Sequence, residues 1–403
     1  MRLLPHPATS MPSADTHLLR RLARPGLVAL VLAAFAIGFA LTLALRGGEA
    51  RVSPTGPASL PALLERAAAP LVVYSELGAE ADTLWAANPD NPADRTQLAR
   101  VEHAPGYGIT PALSPDGARV AYTVLPNGGA APELWLLDIE SGERELLLAG
   151  VDLPAAPVWS PNAGAVIVRR SGATGEDAAV HVELLRAGLD GAVTVLAAHD
   201  SALYPIEFSP DGAWLYYASV SAAGSDLWRA PANGGAAGHV ARLSDGISRD
   251  WDLSPDGARL AYLAQTGGDT LFSAQVLDLG AGETLAVAKA AGESQFAPVW
   301  ETGGGLTTGR LSAAGGTPLR ASVDGDVITA SGAALPAAAG GGGFDLPISW
   351  SPDGGQLAAR HFAGASTADP GPSRVELLGA DGERRALSTA SDVTIAGWLE
   401  GAP

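Results

Sequence analysis

From residue 71 onward the apolar positions come in short runs, and most of the runs alternate with polar residues at a period of two. Ala118-Arg119-Val120-Ala121-Tyr122 and Ala213-Trp214-Leu215-Tyr216-Tyr217 show the pattern. Such alternation predicts half-buried β-strands, and no helical periodicity lies between the runs. Each unit has the same order. An apolar run such as Pro157-Val158-Trp159 or Pro347-Ile348-Ser349-Trp350 precedes a tight turn. The alternating strand follows, then a variable loop and a third strand such as Glu133-Leu134-Trp135-Leu136-Leu137. A Gly-containing turn leads into a fourth, such as Arg144-Glu145-Leu146-Leu147-Leu148.

The turn between the first two strands repeats almost unchanged. Ser-Pro-Asp-Gly stands at residues 114–117, 209–212, 254–257 and 351–354, and a variant, Ser160-Pro161-Asn162, falls between the first two. Pro presets φ at the second position of a type I turn, Asp suits the third, and Gly the fourth. The steps are 46, 49, 45 and 97 residues, the last being two periods. Trp300-Glu301-Thr302-Gly303 occupies the skipped position, keeping the Trp and losing Ser-Pro. A fixed period in the forties marks an array of supersecondary units, and four strands per unit describe a propeller blade.

The two ends fit together in phase. Leu71-Val72-Val73-Tyr74 reads as a second strand with no first strand before it, while Val393-Thr394-Ile395-Ala396-Gly397-Trp398 reads as a first strand with nothing after it. Joined, they complete one blade and leave no open edge at the seam. The expectation is an all-β, seven-bladed β-propeller closed by its N- and C-terminal strands. Six regular blades and a distorted one at residues 295–335 is the alternative count. A β-helix or a string of sandwiches would not explain the complementary ends.

These residues resemble the TolB-type, WD-like propeller repeat: Pro-x-Trp-Ser-Pro-Asp-Gly, an aliphatic-Ala-aromatic strand, Leu-Trp, then an Asp-Gly turn. The resemblance spans residues 71–400 and implies architecture rather than activity. TolB proteins carry an α/β domain ahead of the propeller, where this chain has only a short linker. Prolyl-oligopeptidase relatives join similar propellers to a hydrolase domain, yet this sequence has no Gly-x-Ser-x-Gly elbow.

Residues 27–45 form an uncharged, almost wholly apolar run of 19. At about 1.5 Å per residue it reaches roughly 28 Å, near the hydrocarbon thickness of a bilayer. Arg2, Arg20, Arg21 and Arg24 precede it against Asp15 alone, which orients the leader to the cytoplasm and the propeller outside. The expected layout is a cytoplasmic leader (1–26), a transmembrane helix (27–45), an Ala/Pro-rich linker (46–70) with a helix-prone piece from Leu60, and the propeller (71–403). A secreted chain cleaved near Gly48-Glu49-Ala50 is the alternative. The sequence has no Cys, so neither a lipidated cysteine nor a disulfide is available.

Charge narrows the partners. The net charge is −18; five Arg against Asp15 and Glu49 make residues 1–50 +3, so the remainder carries −21. Such a propeller repels phosphates, which argues against nucleic acid and anionic lipid surfaces. An envelope protein, peptide or glycan is the expected partner, with the membrane reached through the N-terminal helix.

The links between blades and the loops after each second strand share the rim opposite the Ser-Pro-Asp-Gly turns. They vary most, so ligand-binding residues are sought there. Candidates are His103 and Tyr107 with Glu102; His199, Asp200 and Tyr204; Arg249, Asp250 and Asp252; and Glu293 with Gln295. Glu207 and Asp252 share one register, two residues before their serines, where Ala112, Val158 and Val299 stand elsewhere. Two carboxylates near the axis of adjacent blades suit a cation or basic group. Backbone amides or channel water would satisfy them equally. Residues 88–94 (Asn-Pro-Asp-Asn-Pro-Ala-Asp) lack the spacing of a calcium loop and read as a widened hairpin turn. The seven His are scattered without metal-ligand spacing, and Trp159, Trp300, Trp350 and Trp398 read as packing between blades. No metal or cofactor is expected. The function expected is non-enzymatic binding or scaffolding in the cell envelope. The rivals are a lyase- or cyclotransferase-type enzyme with a channel site and an extracytoplasmic ligand sensor.

Overall fold

The computed structural model describes residues 60–400 apart from 68, 130, 154, 174–179, 266–270, 313–314, 325–326, 331–334, 339–341 and 380–381. The apolar run at 27–45 lies outside the described residues, and among those described no helix is long and apolar enough to cross a membrane.

Seven four-stranded antiparallel sheets form the ring. Six are continuous in sequence. Blade II, for example, consists of Thr110–Leu113, Arg119–Val124, Glu133–Asp138 and Arg144–Ala149. Blade I is shared between the ends: Val393–Leu399 pairs with Leu71–Glu76, followed by Ala81–Asn88 and Asn91–Glu102. The Gly-rich region is a full blade VI, of Ser294–Trp300, Gly305–Leu311, Leu319–Asp324 and Val327–Ala330. Seven blades are therefore present, and the six-plus-one count is set aside.

Each blade packs on the next through its own apolar cluster, and seven such clusters complete the circle. The one closing the ring joins Val72 and Tyr74 of blade I to Ala358, Val375 and Leu377 of blade VII. The helix-prone segment forms a helix at Leu60–Arg66 and buries Leu63 against blade I. Residues 88–94 form a hairpin in which Asn88 pairs with Asn91 and residues 92–94 bulge out before Arg95 pairs with Ala87, so the widening expected there is a bulge beside a tight turn. The side chain of Asn88 accepts the Asp90 amide at 3.0 Å, which narrows the turn.

The repeated turn is held by its own side chains. Ser114 Oγ donates to Asp116 Oδ1 at 2.6 Å and accepts from the Arg119 amide at 2.9 Å, while Asp116 Oδ1 takes the Ala118 amide. Ser209, Ser254 and Ser351 repeat these contacts. The fourth residue lies at φ near +69°, where Gly is unstrained; blade III places Ala163 there at +51°. Interblade contacts also repeat. Trp159 Nε1 donates to the Ala112 carbonyl and Trp300 Nε1 to the Asp252 carbonyl, both at 3.0 Å, from one blade to the preceding one.

Candidate functional site

The first strands of the blades line a central channel. Blades IV and V bring together two of the carboxylates singled out by register. Glu207 and Asp252 lie side by side and hydrogen-bond through their carboxyl groups. Asp252 Oδ2 also accepts the Trp300 amide of blade VI at 2.6 Å, filling a backbone donor on the inner edge of that sheet. Glu207 is open to channel water, though protein surrounds it on every side. That enclosure raises Glu207 well above the usual carboxylate range, and the charge of Asp252 raises it further. Burial raises Asp252 to about 6, held back by the Trp300 amide and by Glu207. Two carboxyls in contact cannot both ionise cheaply, so at neutral pH the pair retains a proton.

On the same strands Tyr204 stacks on Trp251 with centroids 5.3 Å apart, and Trp251 packs against the apolar cluster between blades IV and V. Arg169 of blade III lies over Tyr204 at 5.3 Å and is fixed by Asp152 at 2.5 Å. Burial raises the Tyr204 phenol, with Arg169 opposing. Arg249 and Asp250 pair with each other at 3.0 Å, and Arg249 covers Phe272. Asp250 adopts φ +53° inside the bulge that interrupts the pairing between Arg249 and Asp252. Tyr204, Glu207, Arg249, Asp250 and Asp252 thus all lie on the inner strands of blades IV and V.

The remaining candidates separate. His103 is fully buried rather than on the rim: Nδ1 donates to the Ala104 carbonyl and Nε2 meets Asp82 Oδ1, both at 2.9 Å. Asp82 also accepts the Gly78 and Ile109 amides and so clips the link from blade I to blade II. Tyr107, on that link, is exposed. His199 and Asp200 turn apart. Asp200 pairs with His181 at 3.0 Å, while His199 contacts Tyr217 and Trp228, and burial lowers its imidazole. Gln295 is buried, accepting the Ala274 amide.

Sequence spacing did not show a second buried cluster, at the rim end of blade VII. Asp345, His361 and Glu376 place possible ligand atoms within 4.8 Å of one another, close enough to hold a metal. The Arg384 guanidinium bonds both carboxylates there, and His361 donates to Asp345 at 2.9 Å. Burial would raise Asp345, yet Arg384 and His361 hold it below the usual range. Arg374 also bonds Glu376, so two guanidiniums already balance the two carboxylates and the cluster is an ion-pair network. Cross-strand pairing of Asp345 with His361 was its only sequence trace.

A cavity of about 370 Å³ opens on the Ser-Pro-Asp-Gly rim between blades III and IV, away from the channel group.

Solved structures resemble this chain at low identity. A prolyl endopeptidase matches at TM-score 0.57 and 15% identity over 85% of this chain and 52% of its own, so this chain spans about half its length. The β-propeller domain of the trilobed protease from Pyrococcus furiosus matches at TM-score 0.54 and 12% identity, over 79% and 94%. That domain has an open velcro topology, whereas here Val393–Leu399 closes the ring. An oligogalacturonate lyase in complex with manganese matches at TM-score 0.52 and 14% identity, over 74% and 82%. Identities this low show a shared fold. The sequence model of the TolB beta propeller domain matches residues 93–308, over half the chain, and with the repeated turns and closed seven-bladed ring it decides the matter: this chain belongs to the TolB beta propeller family.

Proposed function

We propose that the protein is a membrane-anchored, extracytoplasmic propeller that binds a protein or peptide of the cell envelope at the channel mouth, without catalysing a reaction on it. The observation that carries this reading is the group on blades IV and V. A stacked Tyr204–Trp251 pair stands on the same inner strands as the proton-sharing Glu207–Asp252 pair. Aromatic rings and acidic groups on shared strands suit an entering cationic or amphipathic side chain. Family membership supports protein binding in general, and the apolar run at 27–45 supports the anchor. A glycan would use the same aromatic pair.

Photo-crosslinking in native membranes tests the reading. A benzoylphenylalanine at Tyr107 or Tyr204 should give a discrete protein adduct, and one at Asp116 on the opposite rim should not. Adducts from Asp116 alone, or from none of the three, would sink it.

A second reading rests on the same carboxyl pair. Two acids held at different affinities for one proton are equipped for acid–base catalysis, as in a lyase. Turnover of an envelope peptide or polysaccharide that disappears in Glu207→Gln would favour the enzyme.

A further inference from the structure

One register of the propeller holds three arginines, and they are not treated alike. Opposite the residue seven after the turn serine, the third strands of blades II, V and VII carry Leu136, Val276 and Leu377. All three are buried between blades. Blades III and IV carry Arg186 and Arg229 there, and blade VI, whose turn is one residue shorter, carries Arg320 opposite Thr307, six after Glu301. Arg229 stacks over Trp214 at 4.5 Å. Arg320 lies over Trp350 at 4.9 Å and is paired through two nitrogens with Glu301, Nε–Oε1 at 2.8 Å and Nη2–Oε2 at 2.5 Å. Arg186 forms no ion pair, hydrogen bond or ring contact with any described residue.

The surroundings explain the difference. Glu301 occupies the turn-serine position of blade VI, where blade III has Ser160, and Ser160 spends its hydroxyl on Asn162 and the Ala165 amide. Trp350 covers Arg320 from the next blade, where blade IV offers the smaller Phe208. The interface between blades III and IV therefore lacks a carboxylate bonded to the arginine and part of a ring; Asp211 lines the cavity and Asp190 lies nearby, but neither pairs with Arg186. The cavity of about 370 Å³ opens there, lined by Ser160, Arg186, Phe208, Pro161, Pro210 and Asp211 among others. A half-buried guanidinium without a counter-ion is costly to keep at an apolar position. Its planar fork fits a carboxylate through two parallel bonds. Volumes of this size, within about 300–1,000 Å³, hold small organic ligands.

We propose that this cavity binds a carboxylate ligand with a small apolar body, its carboxylate standing to Arg186 as Glu301 stands to Arg320. Phe208, Pro161 and Pro210 take the apolar part. Asp211 stands on the blade IV side with Oδ1 tied to Ser209 Oγ and the Ala213 amide. Its charge disfavours a bare dianion and suits a ligand that also carries an ammonium group. An amino acid or dipeptide and the C-terminus of a longer chain share this chemistry. The site lies on the rim opposite the channel mouth and is independent of the function proposed above.

The test is calorimetric titration and thermal shift of the full chain in detergent, with L-prolyl-L-leucine, its C-terminal amide and its N-acetyl form. The free dipeptide should bind and raise Tm, and the amide should bind at least about tenfold more weakly. An N-acetyl form that binds as well as the free dipeptide assigns the site to the C-terminus of a longer chain. Loss of binding on acetylation assigns it to a free zwitterion. Arg186→Leu restores the residue used at this register in blades II and VII, so the ligand-free variant should melt at or above the wild-type temperature and lose the ligand response. Equal binding of acid and amide, binding retained in Arg186→Leu, or a marked fall in its Tm would each overturn the proposal.

Discussion

Glu207 and Asp252, on the inner strands of adjacent blades, hold one proton between them in a channel that admits water. Because both carboxyls are raised in the folded protein, the native state binds a proton that the unfolded chain, with carboxyls near about 4, releases. The contribution to stability is thus complete at low pH and is lost as pH rises through about 6 and beyond. Thermal melts from pH 4 to 8 should show this fall. Glu207→Gln replaces the protonated acid by an amide, so its curve should be flatter and lie above wild type at pH 8. A wild-type Tm independent of pH over this window would show that the pair does not share a proton.

His103 and Asp82 form a different kind of pair, closed to water and fixed by three backbone partners. Asp82→Ala strands His103 Nε2 and the Gly78 and Ile109 amides at once, and breaking a buried pair costs about 3–5 kcal/mol. Asp82→Asn should recover most of that loss, since its amide nitrogen can face His103 Nε2 while its oxygen accepts the Ile109 amide. Denaturant unfolding of the two variants checks the order. Equal destabilisation would mean the charge, rather than the hydrogen bonds, secures the link between blades I and II.

The fold was legible because its signals are local. Ser114, Asp116 and Gly117 bond within a few residues of one another, so their spacing carries the turn. Trp398 marked the seam for the same reason, standing at a register that Trp159 and Trp350 repeat. The site was legible only where register could be compared between blades, as with Glu207 and Asp252. Asp82, 21 residues before His103, gave no such signal, because its partners come from one loop and the link between blades. Arg169 reaches Tyr204 across a blade boundary, a contact set by packing rather than spacing. His199 ends its strand and Asp200 opens the bend that follows, so the sequence neighbours reach different partners.

Glu301 and Arg320 offer a control within the molecule. Glu301 also accepts from Thr307 Oγ1 at 2.8 Å, and Thr307 Oγ1 in turn accepts from Trp350 Nε1 at 3.2 Å. Glu301→Ala leaves Arg320 half-buried without its carboxylate, as Arg186 is, though still covered by Trp350, at a cost of about 3 kcal/mol. Adding Arg320→Leu removes the stranded charge and should regain much of the loss. A double-mutant cycle by chemical denaturation should return a coupling of about 1–3 kcal/mol between the two sites. Additive losses would show that the ion pair contributes nothing beyond its separate packing.

The seam between the chain ends is the last relationship open to direct test. Val393–Leu399 is the inner strand of blade I and pairs with Leu71–Glu76, burying Val72 and Tyr74. Trp398 Nε1 donates to Ser349 Oγ of blade VII at 3.0 Å. Trp398→Phe removes that bond and the five-membered ring while keeping an aromatic side chain on the cluster, so it should cost about 1–3 kcal/mol and leave the protein monodisperse. A chain stopped at residue 392 loses the whole strand and exposes an apolar β-edge on both blade I and the channel. Unpaired edges of this kind recruit strands from other molecules. Size-exclusion chromatography should therefore show self-association of the truncated chain, together with a broadened, less cooperative unfolding transition. A truncated chain that stayed monomeric and melted as sharply as wild type would mean that blades II to VII hold the ring without its closing strand.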